Sequence, residues 1–138
     1  MIGVVIITHG NLASEMLETV KLIMGEHPAA VAVSFTARES IDTLRERAGK
    51  AVEMFRSEGC IILTDVLGGS ATNVCVDFLK LEGIRVITGV NLPMVMEALQ
   101  SREKLPLDAL SKKIREGAAR GIIDLKEFFA ERAMKKKA

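Results

Sequence analysis

The sequence predicts an α/β fold: a doubly wound, mostly parallel sheet in the order 2-1-3-4, helices on both faces, and a short fifth strand near the C-terminus. Three observations predict it. Four apolar, β-branched runs alternate with segments whose apolar residues recur every three or four positions. The runs are continuously apolar rather than alternating, as in parallel strands covered on both faces. Right-handed crossovers then restrict how strands in this order can be joined.

Gly3 to Thr8 (GVVIIT) is the first strand. A helix follows from about Leu12 to Met24, with Leu12, Met16, Thr19/Val20 and Ile23 as its apolar stripe. Gly25 ends it. Ala30 to Thr36 is the second strand, and Ser40 caps a helix reaching about Ser57, with Ile41, Leu44, Ala48, Val52 and Phe55 facing inward. Gly59 breaks that helix, and Cys60 to Asp65 (CIILTD) is the third strand. The turn Gly68-Gly69-Ser70 leads into a helix from about Ala71 to Leu81. Ile84 to Thr88 is the fourth strand, and Pro93 suits the first turn of a helix to about Ser101. Leu107 to Ala119 forms another helix, Gly121 to Leu125 (GIIDL) the short fifth strand, and a charged helical tail follows.

The 138 residues fit one domain, with a core over about 1–125 and a tail over 126–138. Hydrophobic residues make up 49%, enough for a core without metal or disulfide staples. The net charge of +1 gives no electrostatic case for nucleic acid or an anionic membrane. Base stacking is equally unsupported, since aromatics are only 4% and Trp and Tyr are absent. Cys60 and Cys75 read as unpaired core thiols of a reducing compartment, and no Cys/His cluster has metal-ligand spacing, so neither a metal nor another cofactor is expected. The apolar start is too short for a signal peptide or a membrane span, so a cytoplasmic protein without direct membrane insertion is expected.

His9 is the residue that points to chemistry. It follows the first strand, at the edge of an α/β sheet where such folds place their sites. In the order 2-1-3-4 the first and third strands are neighbours at the point where the winding reverses, so Asp65 comes to lie beside His9. A carboxylate there accepts a hydrogen bond from one ring nitrogen, fixes the tautomer and leaves the other nitrogen free to attack. Gly68 and Gly69 let the backbone approach an anion, and Ser70 adds a hydroxyl next to unpaired N–H groups. Thr8, Gly10, Asn73 and Asn91 complete the expected rim. Nucleophile, orienting carboxylate and anion cradle together suggest phosphoryl transfer to histidine. Each piece also has a plain reading: a histidine at a strand end can face solvent, an aspartate can cap a turn, and Gly-Gly-Ser is an ordinary tight turn without a Walker lysine. His27, before Pro28, reads as a surface residue.

Three motifs carry a resemblance: THGNLASEM around His9, LTDVLGGSATN from Leu63 to Asn73, and TGVNLPM from Thr88 to Met94. The chain resembles, over about residues 1–125, the enzyme IIA component of the mannose/fructose/sorbose family of the bacterial sugar phosphotransferase system. The resemblance implies a phosphotransferase that works as a phosphocarrier. His9 would accept a phosphoryl group from phospho-HPr and pass it to a IIB component, with Asp65 orienting it and Gly68, Gly69 and Ser70 forming the motif's phosphate-binding part. It also implies a homodimer in which Gly121 to Leu125 is exchanged between protomers, and association with the membrane IIC/IID complex. Where the family commonly has proline after Gly-Gly-Ser, this chain has Ala71, which is compatible with a helix start but leaves the loop looser. Two other readings compete. One is a regulatory phosphotransfer module, either a sensor of phosphorylation state or the partner of a dihydroxyacetone kinase. The other, a histidine phosphatase, would need arginine where this chain has Thr8.

Overall fold

A computed structural model describes Met1–Lys137. Four parallel strands, β1 (Gly3–His9), β2 (Ala30–Phe35), β3 (Cys60–Thr64) and β4 (Ile84–Ile87), lie in the order β2-β1-β3-β4. The doubly wound α/β fold is therefore present, and β1 and β3 adjoin where the winding reverses.

The sheet is the middle of three layers. Val4 and Ile6 point into one apolar cluster, and Val5 and Ile7 into the other, as the two-residue period of a strand requires. On the first face lie α1 (Leu12–Met24), α4 (Leu92–Ser101) and α5 (Leu107–Arg120). On the second lie α2 (Ile41–Glu53), α3 (Ser70–Val74) and the 3-10 turn Cys75–Lys80. Every residue of β3 is fully buried, Thr64 included. Truncating Ile62 to alanine there would cost about 2–5 kcal/mol through lost contacts and a cavity.

Four expectations need correction, three of them small. The buried stripe of α1 is Ala13 and Val20, backed by Met16, Leu17 and Met24, whereas Leu12 and Ile23 are exposed. Met16 and Val20 face the core as expected, and the ends of the stripe shift by one residue, from Leu12 to Ala13 and from Ile23 to Met24. Ile41, at the first position of α2, is likewise exposed. The helix expected from Ala71 to Leu81 tightens after Val74 into the 3-10 turn.

The largest correction concerns the C-terminus. No fifth strand forms among the described residues. Gly121 caps α5, residues 122–124 are irregular, and a sixth helix, α6, spans Leu125–Lys137. The cause is local. Asp124 Oδ1 accepts the N–H groups of Lys126 at 2.9 Å and Glu127 at 3.2 Å, capping the new helix. Asp124 with Glu127 three residues on is the spacing of a capping box, so the helix claims the end of the apolar run. What remains, Gly121 to Ile123, has no strand beside it within the chain, and Ile122 is 79% exposed.

Candidate functional site

The site is built at the C-terminal ends of β1 and β3. Thr8, the last buried residue of β1, accepts the Ala13 N–H on Oγ1 at 2.8 Å. It thereby does the capping of α1 that Asn11, at the N-cap position, does not do. Gly10 turns the chain out of the strand with φ +58°, a left-handed conformation that disfavours side chains, and its N–H donates to Phe35 O at 2.7 Å. Thr8 and Gly10 thus shape the turn that presents His9. Phe35, at the end of β2, meets the His9 ring edge-on at 6.1 Å between centroids.

Asp65 reaches His9 from the end of β3. Its Oδ2 accepts two hydrogen bonds from the one residue: the His9 ring Nδ1–H at 2.8 Å and the His9 backbone N–H at 2.9 Å. Oδ1 accepts the Val66 N–H at 3.0 Å. Partial burial pushes the Asp65 carboxyl up, but the His9 backbone N–H, the His9 ring and the Val66 N–H together hold it below the usual carboxylate value. Asp65 is therefore ionised near neutrality, and an ionised carboxylate only accepts. The Nδ1 of His9 must carry the proton, and in the neutral ring the Nε2 lone pair is free. The His9 side chain is 43% exposed and that of Asp65 only 11%, so the Nε2 edge of the ring is open while its support is covered.

Gly69 flanks the free nitrogen. A Cβ added there would sit 2.7 Å from His9 Cε1 and 3.5 Å from Nε2, closer than the ring permits. Only glycine lets this backbone lie against the imidazole. Gly68 supplies the preceding bend at φ +83°. The loop then enters α3, whose opening residues Ser70, Ala71 and Thr72 have no acceptor for their backbone N–H groups among the described residues. Asn73 ties this loop together, its side-chain N–H reaching Gly68 O at 3.3 Å and its backbone N–H reaching Gly69 O at 2.9 Å.

Asn91 is placed differently from expectation. Its Oδ1 caps α4 through the Met94 N–H at 2.9 Å, and its side-chain N–H donates to Ala118 O at 3.2 Å. Both polar arms are engaged in joining α4 to α5. The link to the site runs through the preceding loop, where Gly89 and Val90 donate to the carbonyls of Asp65 and Thr64. His27 is half-buried, and its Nδ1–H donates to Gly25 O at 3.1 Å. Burial pushes both thiols, Cys60 and Cys75, up to about 12, which suits core residues.

Two residues beneath the site are not marked out by the sequence reading. Thr64 and Thr72 share a hydrogen bond of 2.7 Å between their hydroxyls, and Thr72 Oγ1 also lies 2.7 Å from Val66 O. A polar residue at the end of an otherwise apolar buried strand was the available signal. Among the described residues no group of three or more His, Cys, Asp or Glu side chains could hold a metal ion, and no helix is long and apolar enough to cross a membrane.

Comparison with known proteins fits this arrangement. A family model described as "PTS system fructose IIA component" matches residues 3–115. The chain is 32% identical to the fructose-specific EIIA component of Bacillus subtilis (strain 168), over 83% of this chain and 80% of that protein. It is 33% identical to the mannose-specific EIIAB component of Escherichia coli (strain K12), over 96% of this chain but only 42% of that longer protein. The crystal structure of the phosphotransferase system component EIIA from Streptococcus agalactiae superposes with a TM-score of 0.86 at 32% identity, covering 92% of this chain and 99% of that one. With the match running from the first strand into α5, and His9 and Asp65 meeting at the strand junction, the chain belongs to the mannose/fructose family of IIA components of the sugar phosphotransferase system.

Proposed function

We propose that His9 is the phosphoryl-carrying residue of this IIA component. Nε2 takes the group from the phosphohistidine of HPr and passes it to a histidine of a IIB component, in sugar uptake and phosphorylation. The observation that carries the reading is the pair of hydrogen bonds that one Asp65 oxygen accepts from the ring and backbone N–H groups of His9.

The chemistry follows from the geometry. The Nε2 lone pair attacks phosphorus in line, and the donor's N–P bond breaks as the new one forms. The ring gains positive charge, which Asp65 offsets from the Nδ1 side. Transfer between two histidines is close to balanced, so positioning and charge stabilisation are the chain's main tasks. The Gly69 backbone against the His9 ring supports assigning the loop Gly68-Gly69-Ser70 to bind the transferred oxygens. The reaction draws on these side chains and N–H groups, without a cofactor.

The outer edge of β4 is unpaired in the sheet order, and Ile122, Ile123 and Leu125 are exposed. These features support a homodimer in which Gly121 to Leu125 crosses to the partner. A cytoplasmic carrier that associates with the membrane IIC/IID complex without inserting into the membrane fits the same reading.

The test is direct. The protein is incubated with phosphoenolpyruvate, enzyme I and HPr, and its intact mass is recorded. A gain of one phosphoryl group on wild type and none on His9→Ala is expected. Absence of the gain on wild type, or its persistence on His9→Ala, would overturn the assignment.

A further inference from the structure

We propose that Thr72 is a positioning residue for His9, acting through Val66; the reading rests on the phosphocarrier assignment above. Thr72 has one hydroxyl proton and two oxygen neighbours, Val66 O and Thr64 Oγ1, each at 2.7 Å. A carbonyl oxygen only accepts, so the Thr72 proton goes to Val66 O. Thr64 must then donate to Thr72. The result is a directed relay, from Thr64 through Thr72 to Val66 O, starting at a fully buried hydroxyl.

Val66 is the residue through which this relay acts. Its N–H donates to Asp65 Oδ1 at 3.0 Å, and its carbonyl also accepts the Gly69 N–H at 3.2 Å. One residue therefore sets both neighbours of the reactive ring, the carboxylate on the Nδ1 side and the glycine against Cε1. Packing does not hold Val66 in place, for Val66 is 57% exposed and Leu67 79%. The bend at Gly68 has φ +83°, which only glycine adopts freely. Ala71 adds no ring-fixed φ at the start of α3. Hydrogen bonds rather than burial fix the loop, and Thr72 supplies the only side-chain donor to Val66 O among the described residues.

Two kinds of measurement test the proposal. The first is the 15N spectrum of the His9 ring at neutral pH, which reads the tautomer without any phosphoryl transfer. Wild type and Thr72→Ser are expected to show the Nδ1-protonated form alone, and Thr72→Val a mixture of both tautomers. The second is the rate of phosphoryl acceptance from phospho-HPr, expected to fall about tenfold in Thr72→Val and to recover in Thr72→Ser. Thr64→Val removes one donor but leaves the Thr72 bond to Val66, so both readouts should stay near wild type. If Thr72→Val does not fold, Thr72→Ala is smaller and carries the same expectation. An unchanged tautomer in the hydroxyl-free variants overturns the proposal. So does an effect of Thr64→Val as large as that of Thr72→Val, which would assign the change to core packing. If wild type accepts no phosphate while the tautomer responds as expected, the phosphocarrier reading fails and the positioning role stands.

Discussion

The loop Asp65–Gly69 and the C-terminal helix α6 both expose apolar side chains, yet they are held in opposite ways. In the loop, Val66 and Leu67 face solvent while the Val66 backbone is bound to Thr72, Gly69 and Asp65. In α6 none of the residues is buried, and its defining bonds are its own helical ladder and the Asp124 cap. Phe128 meets Phe129 edge-on, and Arg132 lies over the Phe128 ring. Exposure therefore means different things in the two regions. In the loop it leaves a fixed site open; in α6 it marks an element whose removal costs the core nothing.

Substitutions can break the first half of that comparison. Asp65→Asn is expected to have the largest effect after loss of His9 itself. Both carboxylate oxygens now accept N–H groups, and an amide has only one oxygen to offer. Its NH2 would face either the Val66 N–H or the His9 N–H groups, and transfer should slow by roughly 10²-fold or more as the tautomer is lost. Rapid-quench transfer from phospho-HPr measures it; a rate within twofold of wild type would reject the orienting role. Gly69→Ala comes next. Its methyl would meet His9 Cε1 at 2.7 Å, so the ring must move, and a displacement on that scale costs roughly 10–10²-fold. The same assay decides, with circular dichroism to show that the fold persists.

A smaller effect concerns acidity. The Asp65 carboxyl is lowered in the folded state relative to its ordinary value of 3.8. Its contribution to stability is therefore fully present above that value and is lost as pH falls through the lower folded value. Urea titrations of wild type and Asp65→Asn should converge as the pH drops below about 3.8; curves that stay parallel would contradict the linkage. The smallest expected effect sharpens the second half of the comparison. Removing the chain from Lys126 onward should change unfolding stability by less than about 0.5 kcal/mol, because no residue of α6 is buried. A loss of several kcal/mol in urea would show that α6 packs against something.

Much of this was legible in the sequence, for identifiable reasons. Continuous apolar runs such as GVVIIT announce strands covered on both faces, and their alternation with helical spacing fixes the class. The order of the winding then places Asp65 beside His9 without any side-chain detail. What escaped notice depends on phase and on local competition. The period of α1 showed that a stripe exists, but Ala13 rather than Leu12 starts it, because the turn at Gly10 sets the rotation. GIIDL has the composition of a strand, and the cap made by Asp124 outweighs that preference where no strand lies alongside. Thr64 and Thr72 are eight residues apart, and only the return of α3 over the end of β3 brings their hydroxyls together. Asn91 shows the reverse error. A polar residue in a motif near the sheet edge invites a functional reading, and its two bonds are spent on helix docking.

The shared Asp65 oxygen has one more consequence. Because Oδ2 holds both the main chain and the imidazole of the same residue, His9 cannot swing away without also loosening the end of its own strand. The entropy of ordering the ring is thus charged once, when the sheet forms, and, in the proposed role, not again at each encounter with a phosphoryl donor or acceptor. A carrier that must face two partners in turn gains from such a latch. Its reactive nitrogen offers both the same fixed target, and neither has to organise it.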